Sequence, residues 1–247
     1  MTIKDFIESS RVLFKPKTPN AALLAVEKGI LPVQSYIYKI TSVTPLYEEP
    51  FDLEEIQRIL SMQDTDLETK ILLMKILKKL SYHEDPEIAL FAAESMNAIE
   101  SRYNNKIEKL KKEIEENISL ELVRECANEF YEMAVLSSQE VIKKFYLKES
   151  FLLMRKLEGL AGYSKDDGLF TISLLNELSM FGQSKQIVSK MKKEFGENDS
   201  ELLETEAMIE YSQGNFLNVI KIYIKLGSIK KSLDTEELEK LKFWAGI

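Results

Sequence analysis

The side chains best suited to chemistry are few and far apart in this sequence. His83 is the only histidine and Cys126 the only cysteine. A serine–histidine triad, a multi-histidine metal site and an internal disulfide all need partners that the composition does not supply. We therefore interpret His83 as part of a surface turn between helices, and Cys126 as a buried structural thiol on the apolar face of its helix.

Carboxylates are abundant, but they lie where helices are expected to begin. Acids at a helix start satisfy free backbone N–H groups and the helix dipole, whereas acid–base catalysis needs carboxyl groups that converge in a cleft. Asp64 and Asp66 lack the glycine and distal glutamate of a calcium loop, and no glycine-rich phosphate loop occurs. The sequence therefore predicts no catalytic residue, no cofactor and no metal. The other acidic pairs are Glu48 with Glu49 and Glu236 with Glu237.

Bulk composition limits the partners. The 247 residues are 45% hydrophobic and 30% charged, with a net charge of −8. An acidic chain is a poor match for nucleic acid, whose phosphates need a basic face. No stretch approaches the eighteen apolar residues of a membrane helix, and the N-terminus lacks the pattern of a signal peptide. We expect a cytoplasmic protein with no direct membrane insertion.

The N-terminal part of the sequence predicts short helices. Residues 3–14, 19–29 and 32–43 are predicted as helices and 44–50 as a loop. The β-branched residues of 32–43 leave a strand open, but no neighbouring alternating run is present to pair with it. Asp52 and Asp66 are predicted to cap the next two helices. The acidic helix starts at Asp66 and at Asp85, each followed by a Leu- or Ala-rich helix, are typical of HEAT repeats.

A long helix is predicted from Pro86 to about Asn117. Asp85 can cap it, and Pro86 fits the first helical position, where a missing N–H costs nothing. Apolar residues then recur every three or four positions. Roughly thirty residues at 1.5 Å each make a rod of about 50 Å, which we expect to join two helical halves.

The C-terminal part predicts antiparallel helix pairs. After Ser119, one helix is followed by a second that Ser138 caps and Gly159 ends; 168–181 with 184–195, and 200–213 with 215–226, form two further pairs. Gly182 and Gly214 both fit the turn of a tetratricopeptide repeat, 32 residues apart against about 34 for that motif. Residues 234–244 predict a terminal capping helix.

These patterns together predict an all-α fold: an α-solenoid, or right-handed array of antiparallel helix pairs. The array would be HEAT-like in its N-terminal half and tetratricopeptide-like in its C-terminal half. The predicted regions are 1–84, then 85–247 with the long helix, the repeats and the cap; one continuous domain 1–247 is the alternative.

The segment from Asp66 to Glu158 resembles PelE, the tetratricopeptide component of bacterial Pel exopolysaccharide systems. The likeness is carried by the run from Asp85 to Ala93 and by Met96 to Glu100. A second helix matches through the residues Arg124, Ala127, Phe130, Tyr131 and Glu132, and a third ends in Leu157-Glu158.

The resemblance implies a non-catalytic scaffold beside an envelope polysaccharide synthase. Its expected protein partners are a cyclic di-GMP receptor of the PelD type and membrane-bound glycosyltransferase and export components. PelE-type proteins carry two N-terminal transmembrane helices, which residues 1–63 lack. This chain would therefore be recruited to the inner membrane by partners, or it is a soluble relative with another role.

Two other functions stay open: a soluble adaptor or co-chaperone that binds an extended peptide, and a helical enzyme. In solenoids the first helix of each repeat lines the concave face. There Glu201, Glu204 and Glu210 favour a basic or apolar ligand. The aromatic residues between 130 and 151 are interpreted as core, with a ligand cage as the alternative. The predicted partner-binding residues are Asn176, Ser179, Met180, Met208 and Tyr211.

Overall fold

The computed structural model describes residues 36–39, 42–45, 52–62, 65–229 and 242–244. The chain divides into two compact units, Met1–Asn105 and Lys106–Ile247. The helices predicted at 3–14 and 19–29 lie outside the described residues. The proposed division at residue 84 stays a prediction.

The helix predicted at 32–43 is wrong, because two strands occupy much of this region. Strand β1, Tyr36–Lys39, pairs antiparallel with β2, Ser42–Pro45, so that Tyr36 lies opposite Pro45 and Lys39 opposite Ser42. Residues 44 and 45, predicted as loop, belong to β2. The strand that pairs with β1 is the next segment of the chain, β2. Only two residues separate the strands, which is enough for a hairpin.

Three helices of the first unit share a core. Helix α1, Leu53–Ser61, and helix α2, Leu67–Leu80, begin at the predicted caps. Asp52 accepts a hydrogen bond from the N–H of Glu55 at 3.1 Å, and Asp66 accepts one from Thr69 at 2.8 Å. Their apolar faces meet the start of the long helix. The buried members of this core are Ile56, Ile59, Leu73, Ile76, Leu77, Leu80 and Ala92.

The long helix is confirmed as α3, Pro86–Glu116, with 31 residues. Asp85 accepts a hydrogen bond from the N–H of Glu87 at 2.9 Å, as expected of a residue before the first turn. At 1.5 Å per residue the helix is about 46 Å long. The boundary between the two units falls inside it.

The second unit contains an array of helix pairs, as predicted. Helix α4, Leu120–Leu136, packs on α5, Glu140–Ala161. Helix α6, Lys165–Glu177, packs on α7, Phe181–Phe195, and α8, Ser200–Ser212, on α9, Phe216–Ile229. Helix α6 also contacts α8, so successive first helices touch. Short connections between contacting helices make each pair antiparallel.

Both predicted ends of α5 are displaced. Gln139 rather than Ser138 precedes the helix, and it makes no side-chain capping bond. Gly159 lies inside the helix, which runs to Ala161 and is followed by Gly162 with φ +76°. A glycine with a left-handed backbone ends helices readily because it has no Cβ to clash. Gly162, and not Gly159, therefore ends the helix.

The repeat spacing also differs from the predicted 32 residues. Helices α6 and α8 begin at Lys165 and Ser200, which are 35 residues apart. Gly214, with φ +75°, therefore corresponds to Ser179, with φ +59°, rather than to Gly182. The two residues play the same role in their turns: the N–H of Ser179 donates to Asn176, and that of Gly214 to Tyr211, both at 2.9 Å.

This equivalence predicts opposite effects for two substitutions in matching turns. Gly214→Ser should lower the free energy of unfolding by about 1 kcal/mol, because a side chain is strained at positive φ. Ser179→Gly relieves that strain and should raise it by about 0.5 kcal/mol, after the flexibility glycine adds to the unfolded chain. Urea denaturation measures both. A shift of the same sign in the two variants would contradict the equivalence.

Candidate functional site

The two side chains considered first for chemistry lie in the surroundings predicted for them. His83 is exposed between α2 and α3, and its Nδ1 accepts a hydrogen bond from the N–H of Asp85 at 3.0 Å. Cys126 is fully buried in α4, and this burial raises its thiol pKa to about 11. The thiol is therefore protonated at neutral pH, which makes it a poor nucleophile.

Several carboxylates act as helix caps, as predicted. Besides Asp52 and Asp66, Asp199 caps α8 and Asp167 forms a capping box with Ser164 at the start of α6. Within the described ranges, no group of three or more His, Cys, Asp or Glu side chains could hold a metal ion. Glu48, Glu49, Asp64, Glu236 and Glu237 lie outside these ranges.

The predicted partner-binding residues lie in two places on the side formed by the first helices of the last two pairs, α6 and α8, which we call the first-helix side. Asn176 lies in α6, followed by Ser179 and Met180 in the turn before α7; Met208 and Tyr211 lie in α8. Met208 is 61% exposed. The Oδ1 atom of Asn176 is buried and has no hydrogen-bond partner in the described part of the chain. With the 35-residue spacing, Asn176 corresponds to Tyr211 rather than to Met208.

Tyr211 is less available than the sequence indicated, because the chain's single tryptophan packs on it. The ring of Trp244 lies 5.6 Å from that of Tyr211 and stacks on Phe216 and Tyr223 at 6.3 and 6.4 Å. Residues 242–244 are helical, at the end of the predicted terminal helix; 234–241 lie outside the described residues. Trp244 thus covers the aromatic surface of the last helix pair.

The acidic residues of this side are largely neutralised within the chain. Glu201 pairs with Lys165 at 2.5 Å, and Glu210 with Lys185 at 2.6 Å. Burial acts to raise the pKa of Glu210, but Lys185 and the amides of Asn215 and Asn218 outweigh it and lower the pKa. Since these charges already have partners, they give little reason to expect a basic ligand here.

A second surface, on α5, was missed by the sequence analysis. Apolar side chains lie exposed along its outer side: Val141 is 81% exposed, Phe145 55%, Leu152 59% and Leu160 49%. We call these four residues, with the exposed Lys148 and Lys156 between them, the α5 stripe. The steps from 141 through 145, 148, 152, 156 to 160 are three or four residues, which places them on one helix face.

The aromatic residues between 130 and 151 divide between core and surface. Phe130 is buried and lies 6.0 Å from Tyr146, as the core interpretation requires. Phe145 contacts Tyr146 at 5.4 Å yet stays more than half exposed. The sequence did hint at an exposed aromatic residue, because apolar residues of α5 occupy more of the helix surface than a single buried face requires.

A groove adjoins the stripe between α5 and α7. It has a volume of about 540 Å³ and is lined by Phe151, Arg155, Glu158, Gln183, Gln186, Ile187 and Lys190. Glu158 lies between two cations, 2.7 Å from Lys190 and 3.5 Å from Arg155. The guanidinium of Arg155 lies 6.0 Å from the Phe151 ring. The groove therefore offers one aromatic face, paired charges and two glutamine amides.

The chain has a structural neighbour among solved proteins but matches no family model or curated protein. Among solved structures, the chain is similar to TTC0263, a thermophilic tetratricopeptide repeat protein of Thermus thermophilus. The identity is 14%, the TM-score 0.49, and the match covers 72% of this chain and 89% of that one.

A superposition of that quality carries no conclusion, so the assignment to a helical-repeat array rests on the packing of α4 to α9 described above. The resemblance to PelE remains an expectation from the sequence. Among the described helices, none combines the length and apolar character needed to cross a bilayer.

Proposed function

We propose that the chain is a non-catalytic protein-interaction scaffold built on helical repeats. The observation that carries this proposal is the α5 stripe, whose four apolar side chains face solvent beside the groove to α7. Single exposed apolar residues are ordinary on protein surfaces, but an aligned set on one helix is typical of a protein-binding face.

The first-helix side is a second candidate surface. The exposed Met208 favours it, since an exposed apolar side chain can contact a bound peptide. Asn176, Ser179, Met180 and Tyr211 complete this proposed site. An adaptor or co-chaperone with an extended peptide as ligand would use this side.

Site-specific photocrosslinking in the cells of origin tests the proposal. A photoreactive phenylalanine analogue is placed at Phe145, Leu152 or Met208, and at the exposed Lys112 of α3 as the matched control. Positions 145 and 152 should give adducts with the same protein, and Lys112 should not. The purified partner should then bind the purified chain. No adduct above the control at any of the three positions would overturn the proposal.

A narrower form follows from the resemblance to PelE: the scaffold would serve exopolysaccharide synthesis or export, held at the inner membrane by its partners. The proteins found in the photocrosslinked adducts test this narrower form. A glycosyltransferase, an export component or a cyclic di-GMP receptor among them would support the narrower form. Adducts only with proteins unrelated to polysaccharide assembly would contradict it and leave the broader proposal standing.

A further inference from the structure

The charge of the α5 stripe carries an inference about its partner. Lys148 and Lys156 alternate with the apolar residues, and neither forms an ion pair within the described residues. Lys144 and Arg155 lie nearby, but they are paired with Glu140 at 3.6 Å and with Glu158 at 3.5 Å, and Glu149 belongs to the same helix. The positive charge that α5 offers a partner is therefore that of Lys148 and Lys156, on a chain whose net charge is −8.

The dimensions of the stripe suit a helix. Val141 and Leu160 are 19 positions apart, or about 28 Å along the axis, which a partner helix of about twenty residues would match. Lys148 and Lys156 lie eight positions apart, or about 12 Å, which is about two turns of a helix packed alongside. Apolar positions every three or four residues are the pattern that helix-on-helix recognition uses.

We propose that the α5 stripe binds an acidic amphipathic helix of another protein. This rests on the proposed function and adds the chemistry of the partner. Apolar side chains of that helix cover Val141, Phe145, Leu152 and Leu160, while carboxylates about two turns apart meet Lys148 and Lys156. An anionic membrane is a poorer match, because the acidic remainder of the chain would be repelled from it.

The test uses two synthetic helical peptides of 21 residues with identical leucine positions on one face. One carries glutamate beside that face, at sites two turns apart, and the other carries lysine at the same sites. Fluorescence anisotropy of the labelled peptides, titrated with the full chain, should show the acidic peptide binding about 10-fold more tightly or better. The preference should shrink when salt is raised from 0.05 to about 0.5 M, because salt screens exposed charges.

Variants of the stripe separate its two contributions. Lys148→Glu/Lys156→Glu should reverse the preference between the peptides, whereas Lys112→Glu/Lys193→Glu, with the same change in net charge on other exposed positions, should preserve it. Phe145→Ala/Leu152→Ala should weaken both peptides by about 10-fold or more. Circular dichroism establishes that each variant is folded.

Four results would overturn this inference, three from binding and sedimentation and one from crosslinking. The first is equal binding of the two peptides, or no binding of either. The second is stripe-dependent binding to vesicles of anionic lipid without binding to peptides, and the third is a dimer of this chain, seen in sedimentation, that the stripe variants abolish. Crosslinks to a protein at Phe145 and Leu152 that survive Lys148→Glu/Lys156→Glu would sink the acidic-helix inference alone. The absence of crosslinks would instead remove the proposed function beneath it.

Discussion

Arg124→Ala is expected to lower the free energy of unfolding of the second unit by about 3 kcal/mol, because it leaves a nearly buried carboxylate without its cation. Nε of Arg124 lies 2.8 Å from Oδ1 of Asp167, and Nη2 lies 3.0 Å from Oδ2. Asp167 is only 5% exposed, and without Arg124 its carboxylate keeps, within the described part of the chain, side-chain and backbone hydrogen bonds only from Ser164. Urea denaturation followed by the fluorescence of Trp244 measures the loss.

Arg155→Ala is the matched control for this prediction. Arg155 also pairs with a carboxylate, at 3.5 Å from Glu158, but its side chain is 58% exposed. An exposed pair of this kind contributes between zero and about 1 kcal/mol. Equal losses in the two variants would show that the burial of Asp167 adds nothing to the Arg124 pair.

The same pair predicts a pH dependence. Burial acts to raise the pKa of Asp167, but hydrogen bonds from Arg124 and Ser164 outweigh it and hold the pKa below its ordinary value. A lowered pKa in the folded state means that the stabilisation is complete above the unfolded-state pKa of about 4 and is lost as the pH falls through the folded-state value. The difference between the wild type and Arg124→Ala should therefore be full at pH 7 and shrink below about pH 4.

Gly168→Ala should destabilise the second unit by about 2 kcal/mol, although alanine is normally the better helix former. A Cβ at this position of α6 would overlap Sδ and Cε of Met191 in α7. Met191 is 1% exposed and packs in the core with Ile172, Val188, Leu202 and Ile209, so its thioether has little room to move. Urea denaturation gives the value.

Gly159→Ala provides the opposite case. Gly159 also lies in a helix, but an added Cβ would meet nothing within 4 Å, so the change should stabilise by up to about 1 kcal/mol. A double-mutant cycle isolates the proposed overlap: Met191→Ala should cost at least about 1 kcal/mol less in the Gly168→Ala background than in the wild type. Independent effects would contradict the close contact between α6 and α7.

Local capping chemistry made much of the helical framework predictable. Asp52 and Asp66 each cap a helix as predicted, because a side-chain oxygen just before an amphipathic segment can accept a hydrogen bond from a free N–H of the first turn. Pro86 likewise begins the long helix. By contrast, Ser164 is hard to predict as a cap, because its reciprocal partner is the aspartate Asp167 rather than the glutamate of the usual capping box.

The errors arose where a residue type was assumed to have one role. Glycine was used to align the repeats, yet Ser179 holds the positive φ that Gly214 holds in the next turn, which shifts the register by three residues. The β-branched residues of 32–43 left a strand open, but a helix was predicted because no alternating run lies beside them; the partner strand β2 in fact begins at Ser42, inside that range. The α5 stripe could not be identified because the apolar residues of α5 lie on more than one face, and the sequence does not show which of these faces is buried.

Because the single cysteine, Cys126, is buried in α4, site-directed probes can be attached to the natural sequence at a newly introduced cysteine. A cysteine introduced at an exposed position such as Leu152 would accept a maleimide dye or a nitroxide, while Cys126, buried and protonated, stays silent until the α4–α5 pair separates. Distances to a docked ligand can thus be recorded without first deleting a native residue. The rate at which Cys126 is labelled then reports how often the α4–α5 pair opens.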